Sequence, residues 1–195
     1  GDRIAAGTYL LMGAATRGHL TLSGAPLDEM GAVLSLYQKI GGQYQANGGT
    51  LEVNGKRAVQ PIALVETKNY PGFPTDLQAP LMAVLTGAQG RSSIRENIFD
   101  QRFGSAFQMN KMGADIKIDG NQAVICGGRP LTGTQVQAGD LRGGAALIIA
   151  ALMAEGETCI TEAELINRGY EHICEDLQAL GCRIWQAGSR GFEEL

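Results

Sequence analysis

Glycines recur along this chain of 195 residues at a nearly constant spacing, which restricts the possible folds more than any other feature. One series, with gaps of 72 and 68 residues, consists of Gly41, Gly113 and Gly181. Each follows a helical pattern that ends in an apolar residue, where a left-handed glycine commonly ends a helix. A second series, with gaps of 72 and 66 residues, consists of Gly18, Gly90 and Gly156. Two independent series with nearly one period predict a unit that is repeated three times.

The sequence between these glycines predicts the same order of elements in each unit: helix, strand, helix, strand, strand, strand. The first, apolar helix begins near an aspartate in every unit, namely Asp2, Asp76 and Asp140. In the third unit the apolar stripe of the second helix consists of Ile166, Tyr170, Ile173, Leu177 and Leu180. This spacing predicts one continuous helix. Residues 47–49 (Asn-Gly-Gly) and 119–121 (Asp-Gly-Asn) predict tight turns between paired strands.

The fold class predicted from this repeat is α/β. We expect one domain over residues 1–195, with units at about residues 1–67, 68–138 and 139–187. Because the helices are the more apolar elements, all six should share a core around a pseudo-threefold axis, with the sheets outside. A linear solenoid is the competing arrangement, but three units of this size close more naturally.

Composition excludes several classes of function. Apolar residues make up 44% of the chain and charged residues 18%, as in ordinary globular proteins. The net charge of −4 argues against a nucleic-acid partner, and no apolar run approaches the roughly 20 residues of a membrane span. Four cysteines and two histidines lack the spacing of a metal site, so the cysteines are interpreted as small core residues of a cytoplasmic protein. Trp185 and the methionines are also predicted to be core residues. The first residue is Gly1, and a helical pattern follows at once, so we expect a piece of a longer protein.

Chemistry is expected where the units join, and the most distinctive junction is residues 70–78. Two prolines and a glycine give a rigid, non-helical approach to Thr75 and Asp76, which open the next helix. Asp76 has two interpretations. It is a helix cap, as aspartate at this position usually is, or the stiff loop directs its carboxylate into a cleft; both can hold, because a helix start also favours anions nearby.

Arginines mark three further positions. Arg142 follows Asp140 and Leu141 in the first turn of a helix, where the helix dipole disfavours a cation. This placement indicates an anionic ligand, or a surface pair with Asp140 or Glu171. Arg102 and Arg168 occupy corresponding places at the starts of two second helices. They either face one cleft or are solvated.

Five stretches, residues 1–8, 71–78, 96–103, 139–142 and 168–171, together resemble the UDP-N-acetylglucosamine enolpyruvyl transferases of bacterial peptidoglycan synthesis. They cover essentially the whole chain and occur in the family's order. The resemblance implies an inside-out α/β barrel domain built from three units, helices inside, with the active site facing a second domain. That domain and a short N-terminal segment would be missing here. The family's reactive cysteine, the target of fosfomycin, would lie in the missing domain, so none of the four cysteines is assigned its role.

The resemblance also implies the reaction and the site residues. The enolpyruvyl group of phosphoenolpyruvate would pass to the 3-hydroxyl of UDP-N-acetylglucosamine with release of phosphate, without a cofactor. Asp76 would contact that hydroxyl and act as general base, and Ile98 would hold the sugar through its backbone. Arg142 and Arg168 would bind phosphoenolpyruvate, with a catalytic role for Arg168. The remaining cleft-lining positions are Arg102, Asp140 and Leu141.

Two other functions stay open. One is enolpyruvyl transfer to another acceptor, and the other is a non-catalytic repeat domain used for binding. Whether the acceptor is UDP-N-acetylglucosamine or another molecule, the chain alone is expected to have no transferase activity.

Overall fold

The computed structural model describes residues 1–186. In this range the α-helices are α1 (Arg3–Thr16), α2 (Gly31–Lys39), α3 (Gln78–Thr86), α4 (Gly104–Lys111), α5 (Leu141–Met153), α6 (Glu164–Asn167) and α7 (Ile173–Ala179). The strands are β1 (His19–Ser23), β2 (Gln43–Asn47), β3 (Thr50–Asn54), β4 (Val65–Glu66), β5 (Gly90–Arg95), β6 (Ile116–Asp119), β7 (Gln122–Gly127), β8 (Gln135–Gln137) and β9 (Cys159–Thr161). Short 3₁₀ turns precede α2 and α3, at Leu27–Glu29 and Thr75–Leu77. The predicted end of the third unit, residue 187, lies outside the described residues.

The described strands form three sheets, with orders β1-β3-β2, β4-β5-β7-β6 and β8-β9. The first two sheets each contain one of the predicted hairpins, β2-β3 and β6-β7. Gly48 and Gly49 both have positive φ, which a two-residue hairpin turn of this kind requires. Parallel pairs join β4 to β5 and β8 to β9. Thus β4, in the first predicted unit, lies beside β5, the first strand of the second unit, and β8 lies beside β9 of the third unit in the same way.

Helices α1, α3 and α5 pack against one another and form the centre of the core. Every residue of α3 is buried, as are residues 143–150 of α5. Helices that are apolar on all sides belong in the interior, and the sheets have only one face to bury. Gly41, Gly113 and Gly181 have φ of 94°, 97° and 90°, so the predicted left-handed helix ends are confirmed.

The predicted continuous helix over Ile166–Leu180 is wrong. Helix α6 ends at Asn167 and α7 begins only at Ile173. The break surrounds Gly169, where an added Cβ would lie 2.9 Å from a methyl group of Leu141. The backbone at Gly169 approaches Leu141 of α5 closely where the helix is interrupted. Leu180, at the end of α7, is 53% exposed rather than buried.

Two predictions about the core are also wrong. Trp185 is 61% exposed and follows α7, the last helix of residues 1–186. Cys159 is exposed on β9, and the other three cysteines are only half-buried. Five of the six methionines are buried as predicted: Met12, Met30, Met82, Met109 and Met112.

Residues 1–186 contain neither a membrane-spanning helix nor a cluster of metal ligands. No helix there is both long and apolar enough to cross a membrane. No group of three or more His, Cys, Asp or Glu side chains in that part of the chain could hold a metal ion.

Candidate functional site

The three aspartates at the helix starts have different contacts. Asp2 accepts a hydrogen bond from the backbone N–H of Ile4 (2.7 Å) and caps α1. Asp140 caps α5 by accepting from the N–H groups of Arg142 (2.9 Å) and Gly143 (2.8 Å). Asp76 lies in the 3₁₀ turn before α3, and in the described part of the chain its side chain makes no cap hydrogen bond. Both of its oxygens are therefore available to other partners.

Two arginines occupy those oxygens. Arg102 donates through Nη2 to Oδ1 of Asp76 at 2.7 Å, and Arg142 donates through Nη2 to Oδ2 at 3.4 Å. The arginine side chains are mostly buried and that of Asp76 is partly open to solvent. Of the alternatives for Asp76, the structure shows a carboxylate in a cleft rather than a helix cap. Of those for Arg142, it shows a pair with neither Asp140 nor Glu171 but with a residue 66 positions away.

The cleft around this cluster has a volume of about 940 Å³. It is formed by the turn before α3, the loop between β5 and α4, and the first turn of α5. Its lining includes five predicted site residues: Asp76, Arg102, Asp140, Leu141 and Arg142. The phenyl ring of Phe99, which also lines the cleft, lies under the guanidinium of Arg102 at 4.8 Å. Positions from two predicted units thus meet at one cleft.

Arg102 is supported by a chain of hydrogen bonds, here called the Glu96 arm: Arg102, Thr75 and Glu96. Nη1 of Arg102 donates to Oγ1 of Thr75 (2.9 Å), whose hydroxyl donates to Oε2 of Glu96 (2.8 Å). Glu96 is only 2% exposed. Its other oxygen accepts from the hydroxyl of Thr67 (2.8 Å) and from the N–H groups of Ile98 (2.8 Å) and Phe99 (3.2 Å). A buried carboxylate is thus surrounded by donors.

Arg142 is supported by a second chain, here called the Tyr170 arm: Arg142, Tyr170, Thr8 and Ile4. Nη1 of Arg142 donates to the hydroxyl of Tyr170 (3.1 Å), which lies 2.7 Å from Oγ1 of Thr8. The Thr8 hydroxyl donates to the carbonyl of Ile4 at 2.9 Å. Because that bond uses the proton of Thr8, the hydroxyl of Tyr170 donates to Thr8 and accepts from Arg142. This arm contains no carboxylate behind its hydroxyls.

The two remaining predicted site residues lie outside the lining of this cleft. Ile98 is half-buried in the loop after β5, and its N–H is bonded to Glu96, so its carbonyl is the backbone group that remains for a ligand. Arg168 is exposed and lies at the end of α6, not at the start of a helix as predicted. The adjacent Gly169 contacts Leu141, which does line the cleft. Arg102 and Arg168 are therefore not equivalent in position.

Sequence reasoning missed the role of Glu96, Thr8 and Tyr170 in this network. A signal for Glu96 exists, because Ser92 and Ile94 alternate toward the buried face of β5 and Glu96 continues that alternation. Tyr170 belongs to the predicted apolar stripe by its spacing, and it is buried. Nothing in the local pattern pairs it with Thr8, which is 162 positions away.

The arrangement combines a carboxylate that can accept a proton with two guanidinium groups that can bind anionic oxygens. Such a site suits an anionic ligand that reacts with a hydroxyl group. It offers no ligand set for a metal among the described residues.

Curated proteins similar to this chain are carboxyvinyltransferases by name. The chain is 44% identical over 185 residues to UDP-N-acetylglucosamine 1-carboxyvinyltransferase 2 of Clostridium tetani, covering 95% of this chain and 44% of that protein. The corresponding values for UDP-N-acetylglucosamine 1-carboxyvinyltransferase of Thermobifida fusca are 45% over 185 residues, with coverages of 94% and 43%. The chain therefore spans less than half the length of these relatives.

Solved structures show the same fold. The enolpyruvyl transferase NikO from Streptomyces tendae matches with a TM-score of 0.83 at 25% identity, over 92% of this chain and 43% of that one. EPSP synthase from Acinetobacter baumannii matches with a TM-score of 0.73 at 20% identity, over 96% and 44%. The family model described as EPSP synthase (3-phosphoshikimate 1-carboxyvinyltransferase) matches residues 1–177. By this match over most of its length, the chain belongs to the EPSP synthase family.

Proposed function

We propose that the protein containing this chain transfers the enolpyruvyl group of phosphoenolpyruvate to the 3-hydroxyl of UDP-N-acetylglucosamine, with release of phosphate. The observation that carries the proposal is the Asp76 carboxylate, which caps no helix in the described structure and faces a cleft between two arginines. The names of the relatives, at 44–45% identity, supply the transferred group, carboxyvinyl, and the acceptor.

In this proposal Asp76 is the general base. It takes the proton of the sugar hydroxyl as that oxygen bonds to C2 of phosphoenolpyruvate and C3 takes up a proton, which gives a tetrahedral addition intermediate. Loss of phosphate from C2 together with a proton from C3 then restores the carbon–carbon double bond. A carboxylate held in hydrogen-bond reach of the attacking hydroxyl suits this step, since positioned bases contribute roughly 10²- to 10⁴-fold in rate.

The arginines are proposed to bind the anionic groups of phosphoenolpyruvate. Arg142 lines the cleft, and its contact with Asp76 is the longer of the two, 3.4 Å against 2.7 Å, so it can turn toward an anionic ligand. Arg168 is assigned to the same ligand because its exposed side chain is adjacent to Gly169, which packs on the cleft residue Leu141. Guanidinium groups match carboxylate and phosphate oxygens in geometry and charge.

The remaining residues of the proposal hold the sugar, orient Asp76 or shape the cleft. Ile98 would hold the N-acetylglucosamine moiety through its carbonyl, since its N–H already bonds to Glu96. Arg102 would keep Asp76 oriented, while Asp140 and Leu141 shape the cleft around the ligands.

We also propose the wider architecture. The three units at about residues 1–67, 68–138 and 139–187 would close into an inside-out α/β barrel domain, and a second domain of the same protein would form the opposite wall of the cleft. The chain spans 43–44% of its relatives, as one of two similar domains would. A bacterial cytoplasmic setting, in peptidoglycan synthesis, is part of this proposal.

The test uses the full-length protein with Asp76→Asn. Phosphate release from phosphoenolpyruvate and UDP-N-acetylglucosamine should fall by roughly 10²-fold or more, because an amide cannot accept the hydroxyl proton. Asp2→Asn is the matched control, since it places the same change at another helix start and asparagine caps as well as aspartate. Activity of Asp76→Asn close to that of Asp2→Asn would rule out Asp76 as the base. Offering shikimate 3-phosphate instead of the sugar nucleotide distinguishes the other acceptor class.

A further inference from the structure

Arg102 is held on two sides, and both supports lead to the buried carboxylate of Glu96. On one side Nη1 of Arg102 donates to Oγ1 of Thr75, whose own proton goes to Oε2 of Glu96. On the other side the guanidinium lies over the ring of Phe99, whose backbone N–H donates to Oε1 of Glu96. Glu96 thus positions both the hydroxyl of Thr75 and the ring of Phe99, the two groups that hold Arg102 on these sides.

The directions of these hydrogen bonds follow from the groups themselves. A guanidinium can only donate and an ionised carboxylate can only accept, so the hydroxyl of Thr75 must accept from Arg102 and donate to Glu96. Because the proton of the Thr75 hydroxyl points toward Glu96, its lone pairs point away from Glu96 and accept from Nη1 of Arg102. In this orientation the second nitrogen of Arg102, Nη2, lies 2.7 Å from Oδ1 of Asp76.

We propose that Glu96 is a positioning residue that acts through the hydroxyl of Thr75 to hold Arg102 against Asp76, and so sets the orientation of the proposed base. Glu96 lies behind the cleft wall, nearly without exposure, and does not line the cleft. This inference rests on the proposed role of Asp76 as base.

The main test is Thr75→Val in the full-length protein, which keeps the shape of the side chain and removes the hydroxyl. We expect kcat for phosphate release to fall roughly 100-fold, as small misplacements of catalytic groups do, while KM for both substrates changes less than about threefold. Thr75→Ser, which retains the hydroxyl, should restore most of kcat. A rise in KM without a fall in kcat would overturn the inference, because it would show that Thr75 contacts substrate directly.

Thr67→Val is the matched control. Thr67 is buried, whereas Thr75 is half-buried. The hydroxyl of Thr67 accepts from the N–H of Asn97 and donates to Oε1 of Glu96, which keeps the N–H donors of Ile98 and Phe99 after the substitution. The control removes a hydroxyl from the same carboxylate without touching Arg102. It should lower the melting temperature at least as much as Thr75→Val and leave kcat within about threefold of the unmodified protein. Equal losses of kcat in the two variants would overturn the inference.

Glu96→Gln places the test on the carboxylate itself. The three donors at Oε1 require the amide oxygen there, so the amide nitrogen would face Thr75 and could not accept its proton. If both residues act along one path, the double variant Glu96→Gln with Thr75→Val should lose no more kcat than the worse single variant. Additive losses would show two separate effects and contradict the proposal.

Crystal structures of these variants test the positioning whatever the activity. In Thr75→Val, Nη2 of Arg102 should lie more than about 4 Å from the Asp76 carboxylate, beyond ion-pair distance, and in Thr67→Val it should not move. An unmoved Arg102 in Thr75→Val would overturn the inference, whatever the activity of the unmodified protein. Absence of phosphate release by the unmodified protein would contradict only the proposed function.

Discussion

Arg102 and Arg142 each donate through Nη2 to one oxygen of Asp76 and through Nη1 to a hydroxyl, but the groups behind those hydroxyls differ. The Glu96 arm ends in a buried carboxylate 20 residues from Asp76 in the sequence. The Tyr170 arm ends in a backbone carbonyl of α1 and joins residues 162 positions apart. The same guanidinium geometry is therefore supported by a charge in one case and by neutral groups in the other.

This difference assigns the two arginines different roles. Both guanidinium-to-hydroxyl bonds have a charged donor, but only in the Glu96 arm does the hydroxyl then donate to a carboxylate. That second bond is also charge-assisted and about twice as strong as the neutral bonds behind Tyr170. The neutral arm holds Arg142 less strongly, and its contact with Asp76 is also the longer one. We therefore expect Arg102 to stay with Asp76 while Arg142 exchanges Asp76 for an anionic ligand.

The largest expected effect is on the charged arm. Glu96→Ala leaves two hydroxyls and two backbone N–H groups without their acceptor inside the protein. We expect the free energy of unfolding to fall by about 3–5 kcal/mol, measured by urea denaturation of the full-length protein. A loss of 1 kcal/mol or less, comparable to that of an ordinary hydrogen bond, would mean that the two arms do not differ.

A smaller effect is expected on the neutral arm. Tyr170→Phe removes the hydroxyl between Arg142 and Thr8, but Thr8 keeps the carbonyl of Ile4 and Arg142 keeps Asp76. The free energy of unfolding should fall by only about 1 kcal/mol in the same urea experiment, the usual net contribution of one hydrogen bond. If Tyr170→Phe is as costly as Glu96→Ala, the ranking of the arms is reversed or absent.

The smallest effect on the free energy of unfolding is expected for Tyr37, whose hydroxyl belongs to neither arm. The buried hydroxyl of Tyr37 has no hydrogen-bond partner among the described residues, and burial raises its pKa to about 12. The folded state disfavours the phenolate, so the free energy of unfolding depends on pH. It is highest below pH 10, the pKa of tyrosine in the unfolded chain, and it falls as the pH rises toward 12. Because this hydroxyl has no hydrogen bond to lose, Tyr37→Phe should not lower the free energy of unfolding at pH 7.

At pH 11 the same variant should be more stable than the unmodified protein by about 1 kcal/mol. Thermal or urea unfolding of both proteins at the two pH values measures this difference. A pH-independent difference would show that Tyr37 does not titrate differently in the folded state.

Much of this fold could be predicted from local pattern. The helix-ending conformations of Gly41, Gly113 and Gly181 follow from the residue type, and the hairpins follow from their turn residues. The family resemblance brought Asp76, Arg102 and Arg142 into one cleft, and the structure places them together. What local pattern could not show was that Asp76 caps nothing, because a capping position and an open carboxylate have the same sequence signature.

The errors also have physical causes. The helix predicted over Ile166–Leu180 is interrupted around Gly169, where the backbone approaches Leu141 of α5 closely, a tertiary contact without a signal in either segment. Glu96 was overlooked because a charged residue is usually exposed, and only its four donors make burial tolerable. Trp185 was assigned to the core by residue type alone.

The contact between Thr8 and Tyr170 has a consequence for how the protein folds. Contacts between residues far apart in sequence require closure of a long loop, whose entropic cost delays their formation. The Glu96 arm is local and can form as soon as the middle of the chain folds, whereas the Tyr170 arm must await the third stretch of chain. We expect Arg142 to reach its final position last, so that the anion site is completed only when the first and last parts of the chain have met.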